Sequence, residues 1–221
     1  MIAALFKTLA QLPSPRFRRV LWRSLLATGA SFVALWAVLW WVIANTALFQ
    51  IGWLESIVDA LGGFAVILLT WLLFPAVIGL VMGFFVDDIA DAVEEKHYPR
   101  AGPGRGQPLG EILWTAARFT AILLAVNLLL LPTYFLAPGI GHLVALAANA
   151  FLLAWEYYEM VALRHLPAKE ADALRKGHRG RLFVAGLPVA VLFGIPVVNL
   201  IAPIVATAML THVFQRLRAA A

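Results

Sequence analysis

The sequence predicts an all-α, polytopic helical membrane protein: two long transmembrane helices followed by two Pro-broken helical hairpins, whose arms suit insertion only part way. Three observations carry this. Of 221 residues, 62% are hydrophobic and 13% charged, whereas a soluble domain is about half apolar and about one quarter charged. Four stretches, Ser24–Leu54, Ala60–Val86, Phe119–Trp155 and Leu182–Gln215, run for 31, 27, 37 and 34 residues without Asp, Glu, Lys or Arg. All 17 Lys and Arg lie outside the turns expected at 45–59, 132–141 and 194–199. Too little charge is present to solvate a globule of this size, which excludes an ordinary soluble enzyme and a disordered tail. With no cysteine, disulfides, thiolate metal ligands and a Cys nucleophile are excluded as well.

The elements follow in order within one membrane domain, 1–221. Ile2, Leu5, Phe6 and Leu9 recur at helical spacing, with Lys7 and Gln11 elsewhere, so residues 1–12 read as a helix lying on the membrane surface. No A-x-A-like cleavage site follows a long apolar core, so this is not read as a signal peptide. A spanning helix needs roughly 20 apolar residues, and segments 24–45 and 62–86 each supply one. The third run is interrupted by Pro132, Pro138, Gly139 and Gly141, which predicts a hairpin with arms 108–131 and 140–166. The fourth is interrupted by Gly194, Pro196 and Pro203, giving arms 181–194 and 199–216. Leu182–Gly194 holds 13 residues, about 20 Å of helix, short of the bilayer core.

Charge sets the sidedness. The basic residues fall in the N-terminus, in 87–118, in 156–181 and in the C-terminus. The positive-inside rule places all four blocks, and both termini, in the cytoplasm. The net charge of +5 thus marks orientation, with lipid and not nucleic acid as the partner.

Four polar features stand out. The first is Pro13-Ser14-Pro15-Arg16-Phe17-Arg18-Arg19, with Arg23 beyond it. Pro15 favours a helix start, and free N–H groups there, with the arginines, suit an oxyanion or an anionic lipid headgroup. The second is the run 87–99, with carboxylates at Asp87, Asp88, Asp91, Glu94 and Glu95 and an apolar stripe of Phe85, Ile89 and Val93. It lacks EF-hand spacing and a second nearby His, so it reads as a solvated or oligomer-contact face and not a metal site. The third is 155–167, where Glu156 and Glu159 share a helix face and Arg164 follows two turns beyond Glu156. It is either a charged gate in a pathway or a structural ion pair at the membrane boundary. The fourth is 195–203, where Asn199 either meets a substrate at a helix break or caps the next helix. Asn127, His142, Asn149 and His212 read as packing or inter-helix hydrogen-bonding groups. The loop 101–107 lacks the Gly-Lys-Ser/Thr ending of a phosphate loop. No GxSxG, HExxH, CxxC or Walker motif occurs, so neither an enzyme nor a cofactor is expected.

Four of these stretches, Pro-Arg-Phe-Arg-Arg at 15–19, Asp-Asp-Ile-Ala-Asp-Ala-Val-Glu-Glu-Lys-His-Tyr-Pro at 87–99, Glu-Tyr-Tyr-Glu at 156–159 and Ile-Pro-Val-Val-Asn-Leu-Ile-Ala-Pro at 195–203, occur in this order along the chain. Together they resemble the CysZ sulfate permease family, which shares a domain with the etoposide-induced membrane proteins; the chain is most like that domain family's uncharacterised bacterial members. The resemblance implies two long spanning helices, later helix pairs that insert part way, homo-oligomers of at least two chains, and a place in the bacterial inner membrane. Its CysZ branch carries sulfate inward, as a channel without ATP hydrolysis, and binds it at a Pro-Gly-x-Arg-Arg loop. By position the substrate-binding candidates are Phe17, Arg18 and Arg19, with Arg16 standing where that branch has Gly. The resemblance therefore implies an anion permease for sulfate, and the polar features described above place Glu156, Glu159, Arg164 and Asn199 along its pathway or gate. The rival is a membrane scaffold or assembly factor, as the eukaryotic branch implies.

Overall fold

Each helix begins and ends where local chemistry dictates. Ser14 accepts the Arg18 N–H on its carbonyl at 2.9 Å and the Phe17 N–H on its hydroxyl oxygen at 3.4 Å, so it caps a helix whose first residue is Pro15, a residue with no N–H to satisfy. In the computed structural model, described for residues 2–11, 13–45, 63–64, 67, 70, 77, 81, 83–106, 108–137, 139–195 and 198–220, the order is α1 (Ile2–Gln11), α2 (Pro15–Asn45), α3 (83–97), α4 (Leu109–Leu136), α5 (Ile140–Ala162), α6 (Ala168–Gly177), α7 (Arg179–Gly194), a 3-10 turn (Val198–Leu200) and α8 (Ala202–Arg218). No strand occurs among the described residues, and the protein is an all-α, polytopic membrane protein. The turn expected at 46–59 and most of the expected second span, 62–86, lie outside the described residues.

Among the described residues, three segments are long and apolar enough to cross a membrane: Phe17–Trp41, Leu109–Leu136 and Ile140–Ala162. α7 and α8 have 16 and 17 residues, fewer than the roughly 20 a full crossing takes.

Three boundaries differ from the sequence expectation. The helix expected to stop at 131 runs through Pro132 to Leu136. A proline removes a single i→i−4 bond, and a membrane helix tolerates that loss; beyond it, the Ala137 N–H already donates to Thr133 O at 3.0 Å. The chain turns instead at Gly139, whose φ of 88° favours glycine. A Cβ at Gly141 would strike the Thr133 carbonyl, so glycine lets the start of α5 close against the end of α4. The arm expected to reach 166 ends at Ala162, and the segment after it forms the separate short helix α6. The first span extends back to Pro15 as one unbroken helix of 31 residues.

The core lies where α5, α7 and α8 meet. Ala150, Ala154, Tyr157 and Val161 of α5 pack with Ala185 and Val189 of α7 and with Ala206, Met209 and Phe214 of α8. Small residues allow close backbone approach in membrane helices; a Cβ at Gly186 would overlap the Ala150 carbonyl oxygen. A second cluster joins Phe17 and Val20 of α2, Ile89 and Val93 of α3, and Ile204 and Ala208 of α8. Between α4 and α5, Asn127 and Asn149 exchange side-chain hydrogen bonds at 3.2 Å, and each amide also donates to a carbonyl one turn back.

Candidate functional site

The polar chemistry gathers at one end of the bundle, where α3 and α5 end and α2 and α4 begin. Its centre is Arg164, just past α5, with a side chain only 1% exposed. Asp87, Asp91 and Glu94 lie at i, i+4 and i+7, on one face of α3. Arg164 Nε donates to Asp87 Oδ1 at 2.6 Å, Nη1 to Glu94 Oε2 at 3.1 Å, and Nη2 to Asp91. Glu94 Oε1 faces His165 Nε2 at 2.9 Å and accepts from Gln215 Nε2 of α8 at 2.7 Å. Burial raises the Glu94 carboxyl, but the His165 hydrogen bond and the Arg164 charge outweigh it and leave its pKa below the ordinary value. The chain after α3 straps over this cluster: the Arg105 N–H donates to the Arg164 carbonyl at 2.7 Å, and Gly104 lies so close to the guanidinium that a Cβ there would strike it.

This arrangement redistributes the candidate gate. Arg164 turns to α3 and not to Glu156 or Glu159. Glu159 instead accepts from Arg118 of α4 at 2.6 Å and from Trp155 Nε1 at 2.7 Å. Glu156, half-buried, has no ion-pair partner among the described residues. The three residues therefore do not form one network. The acidic run read as a solvated or oligomer-contact face is also corrected: three of its five carboxylates hold Arg164. The signal was their i, i+4, i+7 spacing, but the partner lies 70 to 77 residues away.

Between the start of α4 and the end of α5 lies a cleft of about 600 Å³, lined by Arg105, Glu111, Trp114, Arg118, Glu159 and Arg164. Arg105 pairs with Glu111 at 2.9 Å, so its carboxylates meet cations within the cleft itself.

At the start of α2 the three candidate residues divide. Phe17 is buried, 2% exposed, against α3 and α8, and anchors the loop; Arg18 and Arg19 are exposed. Beside them a pocket of about 290 Å³ is lined by Gln11, Ser14, Pro15, Phe17, Glu95 and Lys96 among others. Gln11, read as lying off the apolar positions of the first helix, is 2% exposed, and neither of its amide atoms has a hydrogen-bond partner among the described residues. Sequence reasoning missed it because a lone Gln at a helix end carries no pattern.

Asn199 sits in the 3-10 turn, its N–H donating to Ile195 O at 3.0 Å. The N-cap of α8 is Ile201, without a side-chain cap, so Asn199 does not cap that helix; it touches none of the other candidates through a hydrogen bond. The isolated polar residues serve packing and inter-helix bonds: His142 meets the Tyr134 ring edge-on at 4.7 Å, and His212 Nδ1 lies 3.0 Å from the Tyr98 hydroxyl.

Compared with known proteins, residues 4–203 match the family model described as sulfate transporter CysZ/etoposide-induced protein 2.4. No curated protein gives a match.

Proposed function

The chain belongs to the sulfate transporter CysZ/etoposide-induced protein 2.4 family, and on that premise we propose that it conducts a tetrahedral oxyanion, sulfate foremost, across the bacterial inner membrane with both termini in the cytoplasm. The observation that carries this reading is the start of α2. Ser14 caps it, Phe17 pins it into the core, and Arg18 and Arg19 stand exposed beside it. A 31-residue helix directs the positive end of its dipole at that point, where anions bind readily. Arginine adds donors that match an oxyanion. Phe17 thus positions the loop, and Arg18 and Arg19 attract the anion at the mouth.

The paired carboxylates support the same reading. Glu159 and Glu111 each hold an arginine, so the charged end repels an anion less than its acidic count implies. Glu156, Glu159, Arg164 and Asn199 shape the route beyond the mouth. Homo-oligomers form through the apolar flank of α4, where Leu128, Leu129 and Phe135 are exposed.

A second reading is a non-transport scaffold whose arginine loop holds anionic lipid; the exposed Trp22 near Arg23 fits an interfacial anchor. Labelled sulfate flux into proteoliposomes separates the two. The permease reading expects uptake above empty liposomes that falls at least about tenfold in Arg18→Ala/Arg19→Ala, as two lost charge-assisted contacts imply. Flux no greater than that of empty liposomes sinks it, and flux indifferent to the double substitution moves the anion site elsewhere.

A further inference from the structure

The pocket beside α2 contains a group that needs a ligand. Gln11 closes α1, and its side chain is buried with both Nε2 and Oε1 unpartnered among the described residues. Buried amide atoms are nearly always hydrogen-bonded, and each one left alone is costly. The pocket it lines brings together three elements: Gln11 from α1, Ser14, Pro15 and Phe17 at the α2 start, and Ala92, Glu95 and Lys96 from α3. Its volume of about 290 Å³ suits a small ion with water.

The polar inventory of the walls is mixed. Donors are the Gln11 amide, the Lys96 ammonium and the Ser14 hydroxyl, which accepts the Phe17 N–H and keeps its own proton to donate. The acceptor without a partner among the described residues is Gln11 Oε1, and the Glu95 carboxylate, engaged elsewhere, adds negative charge to the wall. A fully ionised sulfate only accepts hydrogen bonds. It would satisfy the donors, leave Gln11 Oε1 unmatched and face Glu95. An oxyanion that keeps a proton satisfies the donors and gives that proton to Gln11 Oε1, and a site with a buried acceptor discriminates against the analogue lacking the hydrogen.

We propose that this pocket is a binding site for a tetrahedral oxyanion carrying a proton, of the hydrogen phosphate class, with Gln11 as the residue that selects it over sulfate. The inference rests on the oxyanion reading of the α2 start; the pocket, which Arg18 and Arg19 do not line, is a separate selective site beside the mouth proposed for sulfate.

The test uses the full-length chain in detergent near neutral pH, titrated with inorganic phosphate or sulfate while thermal unfolding is followed, since a ligand of the native state raises the midpoint. Phosphate is expected to act at roughly tenfold lower concentration than sulfate, the value of one satisfied acceptor. Gln11→Met keeps the volume and removes both orphan atoms, so it raises the ligand-free midpoint and abolishes the preference. Lys96→Ala, at an exposed position, weakens both anions without disturbing the core. Short-chain phosphatidic acid that displaces phosphate assigns the site to a lipid phosphomonoester, and failure to displace assigns it to the free ion; either supports the shared chemistry. Sulfate acting at or below the phosphate concentration, or a preference that survives Gln11→Met, overturns the inference. If sulfate flux still depends on Arg18 and Arg19 in that case, the permease reading stands and this inference alone fails.

Discussion

α2 runs for 31 residues with Leu26, Val33, Trp36, Trp40 and Trp41 exposed along its flank. α8 runs for 17, and 15 of them are buried. Hydropathy alone would rank them the other way, because α8 carries Thr207, Thr211, His212 and Gln215 inside the protein. Burial here follows from size and polar satisfaction. Ala202, Ala206 and Ala208 let neighbours approach. Thr207 and Thr211 donate to carbonyls one turn back at 2.9 and 2.8 Å, and Gln215 reaches Glu94. α2 offers wide side chains that suit lipid or a second copy and needs no such arrangements. The lesson is that in this chain the less apolar helix is the inner one.

If this contrast is right, perturbations at the inner end should far outweigh those on the open flank. The largest effect is expected from Arg164→Met, which strands Glu94 without its cation in a buried setting. Loss of one member of a buried pair costs about 3–5 kcal/mol, read as a lowered unfolding midpoint in detergent, and Arg164→Met/Glu94→Gln should recover part of it. Gly186→Val follows. Its new methyls meet the α5 backbone at Ala150, and overpacking of this kind costs about 1–3 kcal/mol; an unchanged midpoint would mean that α5 and α7 do not pack as described.

Acidification through Glu94 is expected to have a smaller effect. The folded-state pKa of Glu94 lies below its ordinary value of 4.5, so the unfolded chain takes up the proton first. Its stabilisation is complete above that ordinary value and is lost as pH falls through the lowered one. Unfolding midpoints taken across that range should fall less steeply in Glu94→Gln than in the wild type. The smallest effect belongs to Trp36→Leu on the open flank of α2, within about 0.5 kcal/mol. A drop comparable to that of Gly186→Val would show that this flank is buried against another chain.

Much of the fold was legible because its signals are local. Uncharged runs gave the helices and the glycines near 139 gave the hairpin turn; Pro15 marks a helix start, but the expected first span begins only at 24. Pro132 misled because a proline costs a membrane helix one hydrogen bond and does not end it. α6 went unread because Ala168–Gly177 is charged and amphipathic, the pattern of a solvated linker. The candidate site was legible only in part. Arg18 and Arg19 announce themselves by charge, but the partners of Arg164 and the burial of Gln11 depend on contacts between α1, α3, α5 and α8, and no local pattern encodes which face will meet which. The same holds for Asn127 and Asn149, each an isolated amide in sequence and a reciprocal pair in space.

The cage around Arg164 also sets a schedule for biosynthesis. Its carboxylates precede their arginine by 77, 73 and 70 residues. At roughly 5–20 residues per second, Asp87, Asp91 and Glu94 leave the ribosome some ~4–15 s before Arg164 exists. Over that interval Asp87, Asp91 and Glu94 are without the cation that holds them in the finished protein. Arrival of Arg164 gives Asp87, Asp91 and Glu94 their shared cation and fastens the finished hairpin to α3, so the order of synthesis is written into the direction of the ion pairs.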